Sequence, residues 1–183
     1  KTTPGNTFNS MGLPNKGLDQ SLEFIESLKD SYQKPIWASI SGLSFEENEK
    51  LIRQVLIQNR ADFLEVNLSC PNLGHKRLVG YDPEQIQKYV DLVDKLLLET
   101  NSNIKIGFKM APILEVYMFD EIADIISKTD NIKFLTCCNT LGNCLLVDYK
   151  KESSLIKPND GFGGLGGNYL KPVALANVRQ FYN

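Results

Sequence analysis

The sequence predicts an α/β fold in which parallel strands alternate with helices. Short apolar runs of strand length alternate along the 183 residues with longer runs whose apolar side chains recur at helical spacing. The longer runs also begin at helix-start signals: Ser44 precedes one of them, and Asp82 followed by Pro83 opens another. Alternation of this kind is typical of parallel strands that are joined by helical crossovers.

The individual elements follow from this periodicity and from the flanking signals. Leu22, Ile25 and Leu28 lie at helical spacing and predict the first helix. In chain order the sequence predicts a helix over 18–32, a strand over 35–41, a helix over 45–59, a strand over 63–68, a helix over 83–100, a strand over 104–109, a helix over 116–128, a strand over 133–138 and a helix over 172–181.

Strand parity distinguishes a barrel from an open, doubly wound sheet. In the strand over 63–68, Leu64 and Val66 share one face, whereas Glu65 and Asn67 share the other. The next strand along the chain alternates in the same way. A sheet covered by helices on both faces favours near-continuous apolar strands instead. We therefore predict a (β/α)8 barrel of the TIM type, whose lumen carries polar side chains at one end.

The predicted barrel is incomplete. Four strands cannot close it, since a full barrel takes about 250 residues. We expect residues 1–183 to form a single domain that covers about four central strand–helix units and lacks the N-terminal and C-terminal strands. The natural protein is then expected to be longer, with residues before Lys1 and two strand–helix units after Asn183.

Composition argues against several classes of function. The net charge is -2 and no basic block occurs, which argues against nucleic acid as a partner. No apolar run approaches the ~20 residues that a membrane span needs. His75 is the only histidine and no C-x-x-C occurs, so no metal site is expected. Vicinal Cys137 and Cys138 suit a reducing compartment, and we expect a cytoplasmic protein.

Polar side chains concentrate where the predicted strands end. Asn67, Lys109 and Asn139 each lie at or just after a strand end. This is the carboxyl-terminal face, where barrel enzymes place their chemistry. Lys109 faces the lumen by parity and needs a partner anion, which is either a ligand or, in a purely structural interpretation, a carboxylate such as Glu65.

The segment NLSCPN over 67–72 gathers a thiol, two amides and a hydroxyl directly after a strand. The amides of Asn67 and Asn72 suit a planar polar substrate because each offers both donors and an acceptor. Cys70 can serve as a base or a nucleophile if its pKa is tuned. The alternative is a buried cysteine before an ordinary Pro-Asn turn.

Three further segments are weaker signals when taken alone. The segment NSMGLPN over 9–15 reads as a loop in which Gly12 allows close approach of a ligand, although these are also ordinary turn residues. The segment over 138–140 closes a strand and enters a turn. The segment GFGGLGG over 161–167 contains G-x-G-x-x-G, but a polar run precedes it and Pro172 delays the helix, against a Rossmann motif. We predict a glycine loop that passes close to a flat cofactor.

Taken together, these segments resemble the dihydroorotate dehydrogenases, and specifically the soluble class that uses fumarate (class 1A). The membrane-bound class carries serine where this chain has Cys70. Five segments match in the family's order, namely NSMGLPN over 9–15, NLSCPN over 67–72, GFKM over 107–110, CNTLGN over 138–143 and GFGGLGGNYLKPVALANVR over 161–179.

The resemblance implies FMN-dependent oxidation of dihydroorotate to orotate in de novo pyrimidine (UMP) biosynthesis, with fumarate as electron acceptor, by a cytoplasmic homodimer. By motif position, Cys70 would be the catalytic base. The substrate would contact Asn9, Ser10, Met11, Gly12, Leu13, Asn67, Asn72, Asn139 and Thr140. The flavin would contact Asn67, Lys109, Cys138 and Gly167.

Three other interpretations remain open from the sequence. The first is a related pyrimidine-oxidising or NAD-linked flavoenzyme, which also uses a loop cysteine. The second is a catalytically dead barrel remnant that serves as a binding module. The third is a cysteine hydrolase that uses Cys70 and His75, although its nucleophile and base would then lie in one short loop.

Overall fold

The computed structural model of the chain describes residues 2–3, 5–69 and 78–183. Cys70, Asn72 and His75 therefore lie outside the described residues. In chain order the elements are β1 (Thr2–Thr3), β2 (Asn6–Asn9), α1 (Leu18–Ser31), β3 (Trp37–Ile40), α2 (Phe45–Gln58), β4 (Phe63–Asn67), α3 (Pro83–Thr100), β5 (Lys105–Lys109), α4 (Tyr117–Ile126), β6 (Ile132–Thr136), β7 (Leu141–Leu145), β8 (Val147–Asp148), β9 (Ser153–Ser154), β10 (Phe162–Gly167) and α5 (Lys171–Tyr182).

The parallel sheet has the strand order β3-β4-β5-β6, so each strand lies beside the next one along the chain. All three pairings are parallel, and helices α2, α3 and α4 form the crossovers. The predicted α/β class is confirmed, and the sheet is that of a partial barrel. Each predicted helix and strand over 18–138 and 172–181 agrees with the structure to within two residues at either end.

Helices α2 and α3 begin at a side chain that caps the backbone and end at an asparagine. Ser44 Oγ accepts a hydrogen bond from Glu47 N at the start of α2, and Asp82 Oδ1 accepts one from Gln85 N at the start of α3. Both helices end at an asparagine in the left-handed region, Asn59 with φ 52° and Asn101 with φ 49°. Local sequence therefore marks both ends of these two crossover helices.

One face of the parallel sheet packs against the helices and forms the core. Leu64 and Val66 of β4 and Ile106 and Phe108 of β5 are fully buried there. Burial of each such side chain stabilises the fold by roughly 1.5–3 kcal/mol relative to exposure. The helices contribute a matching set of buried residues, which comprises Ile52, Val55, Leu56, Ile86, Val90, Val93 and Leu96.

The opposite face, called here the inner face, carries three rows of residues that the parallel register aligns. The row nearest the strand starts contains Trp37, Phe63 and Lys105. The middle row contains Ser39, Glu65, Gly107 and Phe134, and the row at the strand ends contains Asn67, Lys109 and Thr136. The alternation predicted from strand parity is therefore present, with the polar groups on the face away from the helices.

A second sheet, which the sequence did not predict, is antiparallel and has the order β1-β2-β10-β7. The expected glycine loop over 161–167 is wrong, because these residues form β10 and pair with β2 and β7. Glycine is a poor strand former. Here the partners require it: a Cβ at Gly163 would lie 2.5 Å from Asn9 O, and a Cβ at Gly164 would overlap Thr140.

A substitution at Gly107 tests how tightly the inner face is packed. A Cβ at this position would overlap the ring and carbonyl of Phe134 on the neighbouring strand. Gly107→Ala should therefore lower the free energy of unfolding by about 1–3 kcal/mol, as measured by denaturant titration. Gly12→Ala is the matched control, since a Cβ at Gly12 meets no atom within 4 Å. Equal unfolding midpoints for the two variants would show that the close packing against Phe134 does not require glycine at position 107.

Candidate active site

The candidate site begins with the row of residues at the carboxyl ends of the parallel strands. Asn67 of β4 lies in register with Lys109 of β5, and Lys109 lies in register with Thr136 of β6. Asn67 and Lys109 are both partly exposed. Because successive side chains of a strand point to opposite faces, all three side chains project from the inner face.

Ser69 connects this row to the backbone of the next strand. Its side chain is 1% exposed. The hydroxyl donates to Lys109 O at 3.0 Å and lies 3.2 Å from Asn67 Oδ1, which also accepts from Ser69 N at 3.1 Å. The turn after β4 is thereby fixed to the end of β5.

Asn139 extends the network to the segment after β6. Its amide nitrogen donates to Ser69 O at 2.9 Å and lies 3.2 Å from both Asn67 Oδ1 and Ser69 Oγ. Its Oδ1 accepts from Thr140 N at 2.8 Å, and its backbone N donates to Met110 O at 2.9 Å. The structure therefore brings together three residues that the sequence placed at three separate strand ends: Asn67, Lys109 and Asn139.

The antiparallel sheet brings two more predicted segments toward the same network. Thr140 lies against Gly164 and Gly166 of β10, and Gly164 pairs with Asn9. Asn9 Oδ1 accepts a hydrogen bond from Met11 N at 3.3 Å, so this side chain shapes the loop that follows β2. Glycine at 164 is what lets β10 approach the Thr140 side chain.

The structure connects the remaining predicted site residues less directly to the network of Asn67, Ser69 and Asn139. Met11 is 58% exposed and Gly12 is exposed, while Ser10 and Leu13 are partly buried in the same loop. Gly167 pairs with Asn6 at the far end of β10, three residues along the strand from Gly164, which is roughly 10 Å. No hydrogen bond within the described ranges joins Gly167 to Asn67, Lys109 or Asn139.

Lys109 is not neutralised by Glu65. Both carboxylate oxygens of Glu65 are held by hydroxyls, since Ser39 Oγ donates to one at 2.8 Å and Thr136 Oγ1 donates to the other at 2.6 Å. Across residues 5–69 and 78–183, no acidic side chain forms an ion pair with Lys109. The ammonium group is therefore available to an anionic or electron-rich ligand, which favours the ligand-binding interpretation over the structural one.

The vicinal cysteines lie beside this network. Burial, followed by the neighbouring Cys138, raises the pKa of the Cys137 thiol to about 11, and burial also raises the pKa of Cys138. Both thiols are consequently protonated near neutral pH and behave as small apolar groups. Cys138 could contact a ligand through its backbone or its uncharged sulfur, but not as a thiolate.

A cavity of about 550 Å³ lies at the opposite, amino-terminal edge of the sheet, between the starts of β4 and β5. Two of its cations are already paired with carboxylates, since Lys29 Nζ lies 2.7 Å from Asp62 Oδ1 and Arg60 bonds to Asp30. The third, Lys105, lies over the Phe63 ring. The hydrogen bond from Lys29, together with that from Ile36 N, holds the pKa of Asp62 below its usual value. The carboxyl edge, where donors remain unused, is the better candidate site.

Sequence reasoning noted the Ser69 hydroxyl in the segment over 67–72 but did not include Ser69 among the predicted site residues. The signal was present in its position between Asn67 and Cys70, within a segment already assigned to binding. Among the described residues, no cluster of three or more histidine, cysteine or acidic side chains could hold a metal ion. No helix in the same ranges is long and apolar enough to cross a membrane.

Comparison with known proteins gives one consistent result. The family model described as dihydroorotate dehydrogenase matches residues 1–183. The chain is 43% identical to the fumarate-type dihydroorotate dehydrogenase of Trypanosoma cruzi, over 98% of this chain and 56% of that protein. It is 41% identical to the Kluyveromyces lactis enzyme of the same name, over 100% of this chain and 56% of that protein. It is 39% identical to dihydroorotate dehydrogenase A (fumarate) of Lactococcus lactis, over 96% of this chain and 55% of that protein.

Among solved structures, a DHODH from Eimeria tenella, crystallised with ferulenol, superposes with a TM-score of 0.74 at 20% identity. The match covers 97% of this chain and 52% of that chain, and it shows a common fold. The chain thus spans about half the length of the curated relatives that it matches.

The raised pKa of Cys137 can be checked by alkylation. Because only the thiolate reacts, iodoacetamide should modify Cys137 slowly between about pH 7 and 9 and progressively faster toward a pKa of about 11. In denaturant the same residue should follow an ordinary thiol profile with a midpoint at pH ~8.5. Peptide mass spectrometry measures both rates. A folded-state rate that levels off near the unfolded midpoint would show that burial does not control this thiol.

Proposed function

The chain belongs to the dihydroorotate dehydrogenase family, and from that premise we propose that it oxidises dihydroorotate to orotate in pyrimidine biosynthesis, with FMN as cofactor and fumarate as electron acceptor. The observation that carries the proposal is the convergence of Asn67, Lys109 and Asn139 at one edge of the parallel sheet. The names of the Trypanosoma cruzi and Lactococcus lactis relatives support fumarate as the acceptor.

The donors at the carboxyl edge fit a flavin. Lys109 offers a positive charge that no described acidic residue neutralises, and Asn67 Nδ2 has no acceptor among the described residues. A cation beside the flavin ring stabilises its reduced, anionic form. We propose that Lys109 and Asn67 hold the flavin ring, with Cys138 and Gly167 as further contacts. When bound, FMN supplies the acceptor for the hydride that leaves C6 of dihydroorotate.

The residues of the chain then have separate roles in the reaction. Cys70 takes the C5 proton of dihydroorotate, and the hydride leaves C6, so that a C5–C6 double bond forms. A thiol with an ordinary pKa of ~8.5 is a far better base near neutral pH than a serine hydroxyl. Cys70 and Asn72 lie outside the described residues, and their roles rest on their positions in the NLSCPN segment.

The amides and the loop after β2 bind and orient the substrate. Asn139 Oδ1 accepts only Thr140 N among the described residues, so a second lone pair remains for a ring N–H of the substrate. The proposed substrate contacts are Asn9, Ser10, Met11, Gly12, Leu13, Asn67, Asn72, Asn139 and Thr140.

We further propose that the protein is a cytoplasmic homodimer. Several large apolar side chains of the antiparallel region are exposed, which a second copy would cover. They are Leu145, Val147, Tyr149 and Phe162. The free thiols of Cys137, Cys138 and Cys144 suit a reducing compartment.

Anaerobic flavin absorbance tests the proposed function and the role of Cys70 together. Dihydroorotate should bleach the flavin of the purified protein, and fumarate should restore it. Cys70→Ala should slow bleaching by about 100- to 10,000-fold in stopped flow, while FMN stays bound. Cys70→Ser should retain FMN and orotate yet lose most turnover near neutral pH. Cys144→Ser is the control and should bleach at the unmodified rate.

The possible outcomes separate the alternatives. Bleaching by dihydroorotate with reoxidation by NAD+ instead of fumarate would indicate a related NAD-linked flavoenzyme. Absence of bound flavin in the natural protein would contradict the proposal and favour a binding module. Bleaching of Cys70→Ala at close to the unmodified rate would show that the base is another residue.

Lys109 and Lys105 provide a matched pair for the flavin contact, because both lie on the inner face of β5 but at opposite ends. Lys109→Ala should lower the flavin reduction potential or abolish FMN binding, since a cation near the reduced ring is lost. Lys105→Ala should change neither, because its ammonium group lies over the Phe63 ring, 5.4 Å from the centroid. Unchanged FMN occupancy and potential in Lys109→Ala would make Lys109 a structural residue.

A further inference from the structure

Ser69 lies at the meeting point of three segments that the proposed function treats separately. It follows β4 by two residues, its hydroxyl reaches the backbone of Lys109 at the end of β5, and its carbonyl accepts from Asn139 after β6. Ser69 is only 1% exposed, so a ligand that binds in the site does not contact its side chain directly. Its effect on the site must therefore pass through the residues that it holds.

The hydrogen atoms of this network can be assigned from chemistry alone. The Ser69 hydroxyl has one hydrogen, and Lys109 O, at 3.0 Å, is the nearest acceptor. Asn67 Oδ1 already accepts a hydrogen bond from Ser69 N–H at 3.1 Å. The lone pairs of Ser69 Oγ then face Asn139 Nδ2 at 3.2 Å, so the hydroxyl donates to β5 and accepts from Asn139.

The backbone N–H of Ser69 fixes which way the Asn67 amide points. Backbone N–H groups only donate, so the side-chain atom of Asn67 that faces Ser69 N must be the oxygen. Asn139 Nδ2, at 3.2 Å, approaches the same oxygen as a second donor. A flipped Asn67 amide would direct its NH2 group at two donors. Asn67 Nδ2 is consequently left facing away from Ser69, and neither of its hydrogens is bonded to a residue within 5–69 or 78–183.

We propose that Ser69 is a positioning residue: it holds Asn139 and Asn67 so that the Asn67 amide presents its NH2 group, and not its oxygen, to the bound ring. The inference rests on the proposed function, because orotate and flavin are the rings that this donor would meet. Ser69 also fixes the Asn139 amide nitrogen inward, so Asn139 can offer a ring only its oxygen. The two amides thus present complementary groups, one donor and one acceptor.

The test compares orotate affinity of the holoenzyme in matched serine variants. Ser69→Ala removes the hydroxyl and should weaken orotate binding about tenfold, because the turn after β4 is no longer tied to Lys109 O and Asn139 Nδ2 loses one of its acceptors, so that both amides are held less firmly. KM for dihydroorotate should rise by a similar factor, with kcat within about twofold, as expected when binding rather than chemistry is affected. Ser41→Ala is the control: Ser41 Oγ is buried just after β3 and has no hydrogen-bond partner among the described residues.

A double-mutant cycle distinguishes positioning from general support of the fold. If Ser69 acts through Asn139, Ser69→Ala should change orotate affinity little in an Asn139→Ala background. The same four proteins should show non-additive shifts of the denaturant midpoint, a readout that does not depend on activity. Unchanged orotate affinity and KM in Ser69→Ala, or fully additive effects in the double variant, would overturn the inference.

Failure of the proposed function would be seen separately. In that case the unmodified holoenzyme would not oxidise dihydroorotate, whatever the outcome of the cycle. If the unmodified enzyme is active and the cycle shows no coupling in either binding or unfolding, the proposed function stands and the role of Ser69 is wrong.

Discussion

The register between β4, β5 and β6 is the constraint on which the site depends. It places Asn67, Lys109 and Thr136 in one row at the carboxyl ends of the strands. A slip of one residue would turn every side chain of a strand to the opposite face. Lys109 would then point into the apolar layer beneath the helices, and Phe108 would point into the site. Burial of Phe108 and Ile106 thus enforces the position of Lys109.

The middle row of the inner face keeps the carboxylate of Glu65 away from this lysine. Glu65 is 7% exposed, and its two oxygens accept from Ser39 on the adjacent strand β3 and from Thr136 on β6, two strands away. Hydroxyl donors satisfy the acid without a cation, so a buried carboxylate is tolerated. The same bonds tie β3 to β4 and β4 to β6 across Gly107, whose missing side chain leaves room for Phe134. The positive charge at the strand ends is therefore left for a ligand.

The parts of this fold that could be predicted from sequence are those with local causes. Ser44 and Asp82 mark helix starts because the capping groups lie within three residues of the backbone that they satisfy. The faces of β4 and β5 followed from alternation alone. The strand ends at Asn67 and Lys109 followed as well, and the parallel topology brought them together.

The parts that could not be predicted depend on distant partners. The strand β10 carries glycines that disfavour a strand by propensity, and it pairs with β2, which lies about 160 residues earlier in the chain. The role of Ser69 depends on the carbonyl of Lys109 and the amide of Asn139, neither of which is near it in sequence. Periodicity does not report such contacts. Resemblance to a family located the segments but not the hydrogen bonds between them.

A crystal structure of the natural protein with FMN and orotate bound tests most directly whether the carboxyl edge is the active site. Both ligands should lie at this edge, with the flavin ring beside Lys109 Nζ and an orotate or flavin acceptor within hydrogen-bond distance of Asn67 Nδ2. Ligands in the cavity at the amino-terminal edge, beside Lys29 and Asp62, would contradict this assignment. An Asn67 amide whose oxygen faced the ligand would contradict the hydrogen-bond network from which the site has been built.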